Sequence, residues 1–167
     1  WSDRKISVAG GSGATGLQPY TYANAGDFNT AGTLANLLKT DPDNVESPCN
    51  TAACSEKRLN FLRGEKTNEG ALFRSRKWTL GDMLSSTPVS VRGARYLVSY
   101  ANSIEDTAGK ADDYLAFYKT QETRAKDKPR IYVGANDGML HAFDAKTGKE
   151  TFAFVPTAVF PNLYRLT

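Results

Sequence analysis

Cys49 and Cys54, in the stretch Ser47-Pro48-Cys49-Asn50-Thr51-Ala52-Ala53-Cys54, are the pair best spaced for covalent chemistry in this chain. Cysteines this close can close a small ring if the chain turns, contributing roughly 2 kcal/mol through loop entropy. A structural disulfide between them is expected, and with it an oxidising, extracytoplasmic compartment; two free thiols are the alternative. No second cysteine pair or histidine accompanies them, which argues against a metal site, and redox catalysis more often uses C-x-x-C. His141 is the sole histidine, too few imidazoles for a zinc site or for a Ser-His-Asp or Cys-His nucleophile system. With Leu140 and Phe143 nearby, it reads as a strand residue with a satisfied ring nitrogen. No catalytic, cofactor-binding or metal-ligating residue is expected.

Three other stretches carry formal signals that their surroundings weaken. Gly11-Ser12-Gly13-Ala14-Thr15-Gly16 is a G-x-G-x-x-G preceded by the strand-like Lys5–Ala9. A dinucleotide site needs a helix opening at the last glycine and an acidic residue after a second strand. Pro19 and the Tyr20-Thr21-Tyr22 run offer neither before Asp27. The acidic turn Asp41-Pro42-Asp43-Asn44-Val45-Glu46 lacks the glycine and late glutamate of an EF-hand and reads as solvated. The densest basic stretch, Arg74-Ser75-Arg76-Lys77, reads as a solvated loop. Across the whole chain 21 basic and 18 acidic side chains give a net charge of +3, too balanced for a nucleic-acid footprint.

The elements that must position these residues follow from periodicity. The segment from 9 to 32 is glycine-rich and irregular. Leu34, Leu37 and Leu38 predict a helix from Thr33 that ends before Pro42. A second is predicted over 52–63, with Leu59 and Leu62 on one face and Gly64 as its C-cap. Arg63-Gly64-Glu65 is therefore a helix end and not an R-G-D signal. Beyond Trp78 the chain becomes β-rich. Pro88–Val91 and Arg95–Tyr100 predict a hairpin around Arg92-Gly93-Ala94. A short helix follows with Tyr114, Phe117 and Tyr118 on one face, then a charged stretch from Lys119 to Lys128. The strongest pattern is a three-stranded meander over 130–135, 139–144 and 151–155, turning at Asp137-Gly138 and again at 145–150. No stretch approaches the roughly 20 apolar residues of a membrane helix, and no basic-then-apolar leader opens the chain.

The second turn carries the most information. Ala142-Phe143-Asp144-Ala145-Lys146-Thr147-Gly148-Lys149-Glu150-Thr151-Phe152 matches A-x-D-x-x-T-G-x-x-x-W, the blade signature of quinoprotein-type β-propellers, with Phe152 in place of tryptophan. In such a blade a small Ala142 admits a neighbouring sheet. Asp144 bonds its own turn amides, Gly148 takes a left-handed conformation, and the aromatic at 152 docks between blades. Around it, Ile131–Phe143 (with V-G-A-N-D-G-M-L-H inside), Val155-Pro156 and Phe160–Tyr164 resemble the PilC/PilY-type factors of bacterial type IV pili. Trp78-Thr79-Leu80-Gly81-Asp82, Ser85–Val89 and Leu59–Glu65 are similar to the same proteins.

The resemblance implies a mainly β fold, part of a modified quinoprotein-like β-propeller (its first blade or blades) with short helical insertions. Residues 1–77 are expected to form a loop-rich and helical lead-in, and 78–167 the β-meander blade region, both within one larger domain. It further implies a non-enzymatic pilus assembly factor and pilus-tip adhesin, exported to the periplasm, outer membrane and cell surface. Such a factor works with minor pilins, opposes retraction, and supports twitching motility and host-cell attachment through a surface receptor. The family's calcium loop, D-x-[DN]-x-[DN]-x-x-x-D, does not occur in these 167 residues and would lie in later blades. A quinoprotein dehydrogenase shares the blade motif but needs a cofactor constellation that is not seen here. A carbohydrate-binding β-domain is the other alternative, with Tyr20, Tyr22 and Tyr100 as aromatics able to stack on sugars. Propellers have typically 4 to 8 blades of roughly 40 to 45 residues each. A chain of this length cannot close such a ring, and the remaining blades are expected from a longer parent chain.

Overall fold

The computed structural model describes residues 1–9, 16–25, 34–39, 41–43, 47–91, 93–94 and 111–167. Six strands form one sheet: β1 (Ile6–Ala9), β2 (Leu17–Pro19), β3 (Val89–Val91), β4 (Arg130–Gly134), β5 (Leu140–Asp144) and β6 (Glu150–Val155), in the order β2-β1-β6-β5-β4-β3. Strands β3 to β6 are neighbours in sequence order and all pair antiparallel, the four-stranded unit of a propeller blade. β1 joins the β6 edge in parallel, and β2 pairs antiparallel outside it. The strand-like Lys5–Ala9 thus extends the blade beyond its own meander. The predicted partner of Val89–Val91, residues 95–100, lies outside the described residues, as does most of the glycine-rich motif; β3 itself pairs with β4.

Strand alternation divides the side chains between two faces. Ile6, Ala153, His141 and Val133 lie in one row across the sheet. Three helical elements cover this side: α1 (Leu34–Leu37), α2 (Ala52–Arg63) and a 3₁₀ segment at Thr157–Leu166. Together with Ile6, Val8, Ala153 and Val155, the side chains Leu34, Leu38, Leu59, Phe61, Leu62, Phe160 and Leu163 form the buried core. Each large apolar side chain removed from water there contributes about 1.5–3 kcal/mol before entropy is counted. α2 begins and ends as its sequence predicts, with Gly64 at φ +112° donating its N–H to the carbonyls of Asn60 and Phe61. Arg58 and Arg63 of this helix are also buried. Arg58 donates to Leu38 O and Thr167 Oγ1, and Arg63 to Tyr20 O, so each guanidinium ties the helix to a neighbouring segment.

Two expectations need correcting. The charged stretch after Tyr118 is no connector: α3 runs unbroken over Ala111–Asp127, 17 residues. Lys, Gln, Glu and Arg are straight-chain helix formers. Thr120 and Thr123 return their hydroxyls to the carbonyls four residues back, a mildly unfavourable arrangement that the surrounding helix formers outweigh. Within the basic stretch, Arg76 is not solvated. It pairs with Glu69 at 2.7 Å, donates to the carbonyls of Phe61 and Glu65, and lies 3.5 Å above the Phe61 ring.

Candidate functional site

The β4–β5 and β5–β6 turns hold the residues of the blade signature. Asp144 Oδ1 accepts N–H bonds from Lys146 and Thr147 and the Thr147 hydroxyl, a closed turn that holds the carboxyl below the usual carboxylate range, the Thr147 amide contributing most. Gly148 stands at φ +69° and Gly138 at φ +81°, the left-handed positions these two turns require. On the sheet face away from the core, Val89, Tyr132, Ala142 and Phe152 lie side by side across four strands. Tyr132 and Phe152 meet edge to face with ring centroids 6.1 Å apart, and Ala142 beneath them is wholly buried. The rest of this face stays open: Val89 is 58 % exposed, Val91 49 % and Leu140 39 %.

On the core side, the same hairpins build a chain of charges. His141 is completely buried; its Nδ1 faces Glu150 Oε1 at 2.7 Å and its Nε2 faces both oxygens of Asp137 at 3.0 Å. Glu150 reaches His141 because of a bulge at Ala142/Phe143, which sets Glu150 opposite Phe143 and so on the His141 side of the sheet. Glu150 also accepts two bonds of 2.7 Å from the Arg4 guanidinium, whose Nη1 donates to Arg63 O at the end of α2. At the other end, Asp137 Oδ2 accepts the Gly81 N–H and Oδ1 the Met139 N–H. One line of charges therefore joins the N-terminal segment, both blade hairpins, helix α2 and the segment after Trp78.

This arrangement fastens the segments that meet at His141. Burial alone would lower the His141 pKa, yet hydrogen bonds and charge from Asp137 and Glu150 raise it to about 9. Burial would raise the Glu150 carboxyl, but the Arg4 and His141 bonds bring it down to about 2. Both ring nitrogens of His141 are committed to carboxylates. Each Asp137 oxygen receives one amide N–H, and the two share the imidazole Nε2. Sequence reasoning anticipated a satisfied histidine but missed Arg4, Glu150 and Gly81, whose roles depend on pairing between distant strands.

The other singled-out residues fall apart from this centre. Cys49 and Cys54 form a buried disulfide with Cα atoms 5.3 Å apart. It fixes the start of α2, where Thr51 makes no side-chain cap bond. Replacing both cysteines by Ala is expected to lower stability by about 2 kcal/mol, read as a fall in the urea midpoint that reductant reproduces in the wild type. An unchanged midpoint would show the bridge to be energetically idle. Tyr20 is wholly buried, so it cannot stack on a sugar as the carbohydrate-binding alternative would require; Tyr22 is 38 % exposed, and Tyr100 lies outside the described residues. No cluster of three or more His, Cys, Asp or Glu able to hold a metal occurs among the described residues. In the acidic turn, Asp43 is engaged by Arg165 and by the Tyr164 hydroxyl, which does not fit a calcium site. No helix among them is long and apolar enough to cross a membrane.

Comparison with known proteins agrees with the blade. Residues 80–162 match the family model of the PilY1 beta-propeller domain. The chain is 41 % identical over 164 residues to the type IV pilus biogenesis factor PilY1 of Pseudomonas aeruginosa strain UCBPP-PA14, and 42 % identical over 165 residues to that of strain PAK. It is 38 % identical over 171 residues to a PilY1 homolog of Xylella fastidiosa. These alignments cover 98–100 % of this chain but only 11–13 % of the relatives' length. No solved structure matches. The four-stranded blade, its turn signature and these relatives together place the chain in the PilY1 family, as part of its β-propeller domain.

Proposed function

We propose that the parent protein acts in type IV pilus biogenesis and that this chain supplies part of its propeller scaffold, without catalysis. The observation that carries this reading is the β3–β6 blade with its PilY1 match, alongside relatives named as pilus biogenesis factors. The parent is extracytoplasmic, passing through the periplasm to the outer membrane, cell surface and pilus tip. The buried Cys49–Cys54 bridge supports that compartment. There it works with minor pilins and the assembly machinery, opposes retraction, and serves twitching motility and attachment to host cells. The open face around Val89, Leu140 and Phe152 seats a neighbouring blade of the parent chain, and calcium binding is placed in blades beyond this one. Deleting the parent gene should abolish surface pili and twitching, with plasmid-borne wild type restoring both; normal piliation in the deletion strain would refute the assignment.

A further inference from the structure

At the β4–β5 turn a cleft of 240 Å³ opens between residues 74–82, helix α2 and the Asn136-Asp137 turn. It is separate from the blade face, since Val89, Tyr132, Leu140 and Phe152 do not line it. Trp78, at its mouth, is 72 % exposed, more than any other aromatic among the described residues. The frame that presents it is fixed from two sides. Gly81 donates to Asp137, and the Asn136 N–H donates to Asp82 O at 2.9 Å. On the other flank Arg76 is clamped by Glu69 and two carbonyls. The chain on either side of Trp78 is thus anchored, and the Lys77 ammonium lies 5.6 Å from the centre of the indole ring.

Beside the indole, the cleft is lined by the short polar side chains of Ser75, Thr79, Asp82 and Asn136 and by three cations, of which Arg76 is committed to Glu69 and two carbonyls, Arg74 donates to Leu166 O, and Lys77 adjoins the indole. A flat apolar surface flanked by a carboxylate, an amide and hydroxyls matches a sugar ring, which has one C–H face and a rim of hydroxyl donors and acceptors. We infer that this cleft binds a pyranose unit of a cell-surface glycan, its C–H face on Trp78 and its hydroxyls on Asp82 and Asn136. The inference rests on the attachment role proposed above and assigns it a place.

The test uses the full-length parent protein on an array of N- and O-linked glycans, followed by titration calorimetry with the best-bound sugar. Saturable binding is expected, weakened about tenfold or more by Trp78→Ala and by Asp82→Ala, and largely kept by Trp78→Phe, which preserves a stacking ring. Binding to no glycan, or binding that Trp78→Ala leaves intact, would overturn the inference. So would protection of Trp78 from N-bromosuccinimide in the full-length protein, because the cleft would then be filled by the rest of the chain. A strain carrying Trp78→Ala should keep its pili and lose adhesion. Loss of pili in that strain would assign Trp78 to assembly instead, leaving the biogenesis reading standing without the glycan site.

Discussion

Replacing His141 by Ala should destabilise the propeller domain by about 3–5 kcal/mol, the cost of breaking a buried ion pair by removing one partner. Asp137 and Glu150 would both lose the group between them, and their side chains, 13 % and 18 % exposed, have little water to replace it. Arg4 would still neutralise Glu150, so most of the penalty falls on Asp137 and the Gly81 segment it holds. His141→Gln, which keeps a side-chain amide but no charge, should lose less. The measurement is the urea midpoint of the intact parent domain. A His141→Ala midpoint equal to wild type would show that the charges are ornamental to stability.

The same network gives a pH dependence whose sign is opposite to that of a histidine buried without a charged partner. His141 has a folded pKa raised from 6.5 to about 9, so its contribution is complete below pH 6.5 and disappears as pH rises through 9. That shift corresponds to about 3 kcal/mol. Glu150 is depressed from 4.5 to about 2, so its contribution is complete above pH 4.5 and disappears as pH falls through 2. The two windows overlap between pH 4.5 and 6.5, where stability should be greatest. Unfolding curves at stepped pH should show the alkaline decline in wild type and lose it in His141→Gln. An alkaline limb that persists in the variant would put its origin elsewhere.

The elements legible in the sequence are those fixed by local pattern. The 52–63 helix, the meander strands and the two glycine turns each depend on residues within a few positions of one another, and the structure places them as read. What stayed hidden depends on long-range pairing. Nothing near Glu150 reveals that a bulge will turn it toward His141, or that Arg4, 146 residues away, will clamp it. The parallel pairing of β1 with β6 is equally silent in sequence, because a strand of four residues carries no mark of its partner. Arg58, Arg63 and Arg76 look like solvent residues until the carbonyls they satisfy come into view. Composition places charged residues outside by default, and only a tertiary partner overrides that default.

Gly81→Ala is the second substitution expected to have a large effect, and it acts on the same centre from the opposite side. A Cβ at Gly81 would lie 2.4 Å from Asp137 N, 2.9 Å from Asp137 Cβ and 3.1 Å from Asn136 C. The first and last of these are backbone atoms of a tight turn, so no side-chain rotation relieves the clash. Either the 78–82 segment moves away or the turn distorts, and both routes break the Gly81 N–H bond to Asp137 and the Asn136 N–H bond to Asp82. Overpacking of this kind costs about 1–3 kcal/mol. A lost bond to a charged acceptor adds a further ~1.5–3 kcal/mol. Because the bonds broken share Asp137 with His141, the two substitutions should be non-additive: the double variant should lose clearly less than the sum of the single losses. Strict additivity in that double-mutant cycle would mean that the Trp78–Asp82 segment and the His141 network act independently, and that the hydrogen bond at 3.1 Å between Gly81 and Asp137 transmits nothing between them.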